Sequence, residues 1–434
     1  MYHHDYMWRP CRGRHAIILA LGLIFFSPMA VFAKADAQTL TLPQAASRAL
    51  AQNPALQVFT PRLTGLEGER MTADQNPAFE LGFEAENVLG SGELDGLDAA
   101  EYTLSLSSVI ELGGKRQART GVVSGRYGLV EAERRAEALA LLGNVTRSFI
   151  GTLALQENLQ LAADAVALAE STHDIVRQRA ERGAAPRAEV LRARAELTQS
   201  QLERDRLQAT FDSSLMALAT LLGREAADFH RLEGDLFAFS APDSFASLFE
   251  RARDNPDIRV FASEERLREA ELALARSQSR SDVRWQVGTR YLEETGDSAL
   301  VASVSVPLFA ESRNRGEVQA AQAARNEVGL RRESALLVLR ARLYEAYRLH
   351  QQGVSTAERM QSRVLPDLRT ALELTRGAYE QGRYSYMEWV TAQRELLAAR
   401  RIRVGAATTA LLNQALIEQL TAESMTAAGS GSSH

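Results

Sequence analysis

Cysteine is almost missing from this chain: among 434 residues there is one, Cys11. It stands before an apolar N-terminal run and would leave with that run on processing. The mature chain is then expected to have no thiol for a disulfide, a sulfur-held metal or an N-terminal lipid. Proline is scarce as well, with eleven residues, mostly near candidate element ends, so long uninterrupted helices are permitted. Aromatics make up only 6%, and the formal net charge of −5 offers no strongly basic surface of the kind a nucleic-acid partner favours. After the N-terminal run, no stretch reads as a transmembrane helix. A mature chain placed in a membrane must then enter it as strands in a closed barrel. Enzyme signatures are missing too: there is no Gly-x-Ser-x-Gly, no phosphate-binding glycine loop and no zinc-protease motif. Gly113-Gly114-Lys115 lacks the earlier glycine and the following Ser or Thr of a P-loop. His173, His230, His350 and His434 are widely scattered, and no ligand set converges, so no metal site and no cofactor are expected.

What is present begins with a processing segment. Arg9, Arg12 and Arg14 precede an apolar run from Ala16 to Phe26, and Val31-Phe32-Ala33 follows as a small-residue pattern. This is the layout of a secretory signal cleaved after Ala33, over residues 1–33; the run is short for a spanning helix. Hydrophobic residues reach 45%, much of it alanine, which favours helices and lets them pack closely.

The rest of the chain is written twice, at an offset near 200 residues. Asn53-Pro54 returns as Asn255-Pro256. Phe79 to Phe83 is matched by Trp285 to Thr289, and Ser105 to Ile110 by Ser303 to Leu308. Gly183 and Glu189 return as Gly382 and Glu388. The expected units are 34–240 and 241–425, with a small, polar, flexible tail at 426–434. Each unit reads as a helix of about 35 residues (41–75, 243–280), two strands, a very long helical stretch (116–180, 313–380), a tight break and a return helix (186–222, 385–422).

Steps of three and four link Leu142, Val145, Phe149, Leu153, Leu159, Ala163 and Val166. They also link Phe211, Leu215, Leu218 and Leu222, and Leu365, Leu368, Leu372, Thr375 and Tyr379. Such steps place one narrow apolar stripe along a helix that packs lengthwise on neighbours. The strand segments alternate instead: Phe79 to Glu86, Tyr102 to Ser107, Trp285 to Tyr291 and Val301 to Val306. Polar, glycine-containing loops join them in pairs, so two hairpins are expected in each chain. Four strands are too few to close around an aqueous pore, and membrane barrels begin at about eight, so several chains must contribute.

This order of elements resembles the TolC family of outer-membrane factors over nearly the whole mature chain. Leu42 to Pro54 is similar to the family's opening segment. Tyr379-Glu380-Gln381-Gly382-Arg383, with Ser385 and Glu388 to Gln393, is similar to its tip-and-return segment, and Arg182-Gly183-Ala184 with Glu189 is the matching first tip. Glu111-Leu112-Gly113-Gly114-Lys115-Arg116 resembles the strand exit of heavy-metal efflux members of the cobalt-zinc-cadmium type. The resemblance implies a mainly α fold with a β-barrel portion: four transmembrane β-strands plus long coiled-coil-like helices per chain. It also implies a homotrimer with a 12-stranded barrel in outer-membrane lipid and a periplasmic α-barrel tunnel. A periplasmic adaptor (membrane fusion protein) and an inner-membrane transporter of the RND type are the implied partners, and heavy-metal cations the implied cargo. Many relatives carry a lipidated cysteine at the mature N-terminus; this sequence departs from them there.

Such a channel performs no bond chemistry. The candidate sites are the two helix breaks, where Arg182, Gly183, Ala184, Gly382, Arg383 and Tyr384 would meet the adaptor. Glu189 and Glu388, just inside the return helices, are either entrance carboxylates that attract cations or acids favoured by the helix N-terminus. Glu80, Glu84, Glu86, Ser105 and Ser107 form polar strand faces suited to a lumen. Two other readings stay open at this point: a channel of the same type for drugs or secreted proteins, and a periplasmic coiled-coil interaction protein.

Overall fold

The computed structural model describes residues 39–422, apart from Asp95, Pro242 and the side chain of Glu93. The expected signal 1–33 with its cleavage point, Cys11, and the tail 426–434 with His434 lie outside the described residues. In chain order, β1 (Thr39–Thr41), α1 (Leu42–Gln52), α2 (Pro54–Gln57) and α3 (Phe59–Ala73) lead to β2 (Glu80–Glu86) and β3 (Glu101–Ile110). Next, α4 (Lys115–Glu181) runs 67 residues to a turn, and α5 (Arg187–Leu221) returns. After β4 (Arg231–Glu233), α6 (Phe245–Ala252) and α7 (Pro256–Gln278) lead to β5 (Val283–Leu292) and β6 (Ser298–Ser305). The second outward span is α8 (Ala310–Arg359), one π turn (Met360–Val364) and α9 (Leu365–Glu380), and α10 (Tyr386–Thr421) returns.

The expected helices over 41–75 and 243–280 are divided, and the Asn-Pro pairs are the reason. Proline has no N–H and pushes the residue before it out of helical geometry. Asn53 accordingly sits at φ −68°, ψ 124°, and Asn255 at φ −55°, ψ 141°. Each asparagine caps the helix that follows: its Oδ1 accepts from Ala55 N and Asp257 N respectively, both at 2.8 Å. Each also closes the end of a return helix. Asn53 Nδ2 donates to Leu221 O at 2.9 Å, and Asn255 Nδ2 donates to Gln419 O and Leu420 O, each at 2.9 Å. One side chain thus satisfies orphan groups of two helix ends.

At roughly 1.5 Å per residue, α4 is about 100 Å long. It separates the strands, at its start, from the first tip, at its end. Within α4 there is a segment apolar and long enough to cross a membrane, contrary to the sequence reading. The structure gives it another use. Leu141, Val145, Phe149, Ile150, Leu153 and Ala154 are buried in the main core with Phe211, Leu215, Leu218 and Leu222 of the α5 end. Beyond that core the buried stripe of α4 passes through Ala162, Ala165, Val166, Ala169, Thr172 and Val176, and Ala163 faces outward.

Strands β1 and β4 pair in parallel over this core, with Leu40 opposite Leu232. Gln156 of α4 bonds both polar groups of Leu232, accepting from its N–H at 3.0 Å and donating to its O at 3.2 Å. Three residues per strand carry too short an alternation to stand out in the sequence.

Candidate functional site

Four strands form one antiparallel sheet in the order β2-β3-β5-β6. The pairing of β3 with β5 joins the two halves of the chain, with Leu106 opposite Val287 and Tyr102 opposite Tyr291. Residues opposite each other share a face. One face carries Leu81, Phe83, Leu104, Leu106, Val287, Leu300 and Val304; the other carries Glu80, Glu84, Glu86, Ser105, Ser107, Gln286 and Arg290. Both hairpins therefore turn their apolar sides the same way, as one alternating pattern read through one register requires.

The apolar face is bare: Leu81 is 76% exposed, Phe83 70%, Leu300 77% and Val304 71%. Aromatic side chains flank it, with Phe79 edge-on to Trp285 at 6.2 Å and Phe83 stacked on Tyr102 at 6.3 Å. On the polar face, Arg290 reaches across the sheet. It donates to Glu101 at 2.6 Å and to Thr103 Oγ1 at 3.0 Å, and its other terminal nitrogen lies 2.8 Å from Glu86. Arg284 reaches Glu80 at 3.5 Å. The outer edges of β2 and β6 are unpaired among the described residues.

The strand exit Glu111–Arg116 is fastened to the other half of the chain. Asp282, just before β5, accepts from Leu112 N at 3.1 Å and holds the Lys115 ammonium at 2.7 Å. Arg119 pairs with Glu111 and donates to Gln75 O at 3.2 Å. Gly113 adopts φ +77°, and a Cβ there would lie 2.7 Å from Arg280 Cγ, so both backbone angle and space require glycine.

At the far end of the helices two turns lie side by side. Gly183 (φ +72°) and Gly382 (φ +74°) take the left-handed conformation that ends α4 and α9. Arg182, Gly183, Ala184, Gly382, Arg383 and Tyr384 are all exposed. Arg179, which the sequence reading passed over, holds these turns together with Tyr379 and Trp389. Arg179 donates to Glu380 O at 2.6 Å and to Ala184 O at 3.2 Å, and its guanidinium lies 4.7 Å from the Tyr379 ring centre. Tyr379 stacks on Trp389 at 5.0 Å and donates its hydroxyl to Glu189 at 3.0 Å. Burial raises the Tyr379 phenol well above its ordinary value, and the bond to Glu189 adds to the shift. Tyr379 was visible in sequence as the last member of an apolar stripe and the first residue of the tip-and-return segment; its partners Arg179 and Glu189 lie in the other half of the chain.

The two candidate carboxylates are both occupied. Glu189 accepts from Tyr379. Glu388 forms a capping box, accepting from Ser385 N at 2.7 Å and Ser385 Oγ at 2.8 Å. Those bonds, the backbone one first, hold the Glu388 carboxyl below the usual range. No group of three or more His, Cys, Asp or Glu that could hold a metal occurs among the described residues.

A sheet with one apolar and one polar face and open edges is carried at one end of long helices, of which α4 is about 100 Å long. Residues 45–224 match the profile described as outer membrane efflux protein. The cobalt-zinc-cadmium resistance protein CzcC of Cupriavidus metallidurans is 26% identical over 399 residues, 88% of this chain and 93% of CzcC. The nickel and cobalt resistance protein CnrC of the same organism is 26% identical over 328 residues, 72% of this chain and 76% of CnrC. Among solved structures, CusC, whose crystal structures concern transmembrane channel formation, aligns with a TM-score of 0.73 at 18% identity, over 88% of this chain and 91% of CusC. Residues 45–224 thus carry the profile of outer membrane efflux proteins, and over 88% of its length the chain is similar to a protein of a heavy-metal resistance system.

Proposed function

We propose that three copies of the chain assemble the channel, their four-stranded sheets closing edge to edge into one 12-stranded barrel. The observation that carries this reading is the sheet itself: β2 and β6 present open edges, and one face is apolar and bare. An isolated sheet with those properties would aggregate; closure with further copies removes the edges and gives the apolar face to lipid. The polar face then lines the exit. The helices of units 34–240 and 241–425 form the periplasmic tunnel, and the turns around Gly183 and Gly382 form its inner end. There Arg182, Ala184, Arg383 and Tyr384 meet a periplasmic adaptor, which links the channel to an inner-membrane transporter of the RND type. Glu189 and Glu388 shape that end through Tyr379 and Ser385 and give the entrance a negative bias.

The cargo of this reading is heavy-metal cations. It is supported by the similarity to CzcC and CnrC and by the Glu111–Arg116 strand exit. The tunnel needs no metal site of its own, since selection belongs to the transporter. The assembly is tested by mass determination of the native particle extracted from outer membranes: a heat-modifiable trimer is expected, and a monomer would refute it. The cargo is tested by deleting the gene and measuring growth under cobalt, zinc and cadmium; unchanged tolerance to all three would refute it.

A further inference from the structure

At the end of the sheet away from α4, the last residue of β2 and the first of β3 are both acidic, and they lie directly opposite each other: Glu86 faces Glu101. Like charges in that position repel. Arg290 of β5, opposite Thr103 in the next row, reaches back between them. Its Nη1 donates to Glu101 Oε2 at 2.6 Å, its Nε donates to Thr103 Oγ1 at 3.0 Å, and its Nη2 lies 2.8 Å from Glu86 Oε2. That Glu86 oxygen is buried and accepts no hydrogen bond, so among the described residues the guanidinium is its only partner. Glu84, two residues earlier on the same face, is exposed and has no partner among the described residues. At the helix end of the same face the charges are looser: Arg284 and Glu80 meet at 3.5 Å with both side chains more than half exposed.

We propose that Arg290 is a tethered counter-cation that occupies the place between Glu86 and Glu101 and so keeps the exit from capturing divalent cations. Two opposed carboxylates are oxygen donors of the kind that divalent cations take, with water completing the shell. A guanidinium stays charged at every working pH, and its planar fork serves both carboxylates at once. A passing cation must therefore displace a charge that is held on the same sheet and cannot diffuse away. Glu84 alone is left to attract cations, which favours entry without retention; conduction needs binding that is also weak enough to release. The inference rests on the barrel reading above and on cations as the cargo.

The test is calorimetric titration of the purified full-length protein in detergent with cadmium chloride. Arg290→Gln should gain a single site per chain, tighter than any in the wild-type protein by about tenfold or more, because a unit charge has left the site. Arg290→Lys, which keeps the charge, should bind as little as wild type. Glu86→Gln combined with Arg290→Gln should lose the gained site. A loss of thermal stability in Arg290→Gln with no new cadmium site would show that Arg290 only braces the sheet, and would overturn the proposal. A gained site that survives Glu86→Gln, or a wild-type protein that binds at Glu86 as tightly as Arg290→Gln does, would overturn it as well. Should Arg290→Gln not assemble, Arg290→Met keeps the apolar stem and gives the same reading. The readings beneath it fail separately. Unchanged metal tolerance of the deletion strain, beside a gained site in Arg290→Gln, strikes the cargo and leaves the exclusion of cations standing. A monomeric native particle beside the same gain strikes the barrel and leaves the role of Arg290 between the two carboxylates.

Discussion

In the first half of the chain one helix, α4, runs from sheet to tip without interruption; in the second, the same journey is divided by a π turn at Met360–Val364. Counting back from the tip glycines Gly183 and Gly382, Pro366 stands where the first half has Ala167. Proline cannot donate to the carbonyl four residues earlier, and its ring crowds that carbonyl. The second half absorbs this by widening one turn, so that Leu365 N bonds Met360 O, before α-helix resumes at Leu365. The difference teaches that the long helices are not interchangeable rods: one is continuous because its sequence allows it, the other carries a local accommodation with a single cause. Exchanging the residues should expose this. Ala167→Pro, in a helix with no such adjustment, should cost about 3 kcal/mol or more, whereas Pro366→Ala should lie within about 1 kcal/mol of neutral. Thermal melting of the detergent-solubilised protein separates these outcomes, and equal losses would show that the π turn owes nothing to Pro366.

The two Asn-Pro joints are the next contrast. Both asparagines cap one helix and close another, but Asn255 is 1% exposed and makes three bonds, while Asn53 is 8% exposed and makes two. A buried polar group left without its partner costs about 1–3 kcal/mol. Asn255→Ala should therefore destabilise by about 3 kcal/mol and Asn53→Ala by about 2 kcal/mol, read as denaturation midpoints. The reverse order would mean that the loops around the first joint bear more of the load than its bonds indicate.

The turns from sheet to helix differ in the same manner, with Gly114 at the start of α4 and Phe309 at the start of α8. Gly114→Ala should cost about 1 kcal/mol, because the left-handed backbone at φ +71° suits glycine. Phe309→Gly should recover about 1 kcal/mol of backbone strain in detergent. Denaturation midpoints in detergent read both changes, and a loss of stability in Phe309→Gly would overturn the strain assigned to φ +63°.

How much of this was legible beforehand depended on the range of the signal. The strands were readable because alternation has period two and one register fixes both faces, so Glu80, Glu84 and Glu86 fall together on the polar side as expected. The long helices were readable from apolar steps and the tips from their glycines. The breaks at Asn53 and Asn255 were misread as sitting inside helices, although the following proline is the signal for a boundary. The apolar part of α4 was overlooked because its residues belong to a core completed by α5, β1 and β4, and Leu40 and Leu232 give no periodic sign of their pairing. The contacts of Arg179, Tyr379 and Trp389 were out of reach for another reason: no local pattern tells an arginine which aromatic it will cover nearly 200 positions away.

The tips offer the finest contrast, since each is held by a different titrating group. Tyr379 ties the second tip to Glu189 of the first, and its phenol is raised. A raised phenol favours the protonated form in the folded state. Its contribution is therefore complete below the unfolded value of about 10 and is lost as pH rises above it. Glu388 closes only its own helix, and its carboxyl is lowered. Its contribution is complete above the unfolded value of about 4.3 and is lost as pH falls through the lower folded value. Alkali should loosen the contact between tips, and acid should fray the start of α10 alone. Amide exchange near Glu189 and Tyr379 should accelerate above about pH 10, and exchange at Ser385 to Glu388, corrected for its intrinsic rate, should accelerate below about pH 4.3. Tyr379→Phe should remove the alkaline response at a cost of about 1 kcal/mol. Glu388→Gln should remove the acid response with little change at neutral pH, because glutamine still serves in a capping box. A single pH response shared by both tips in the wild-type protein would show that they open as one unit and that the separate roles assigned to Tyr379 and Glu388 are wrong.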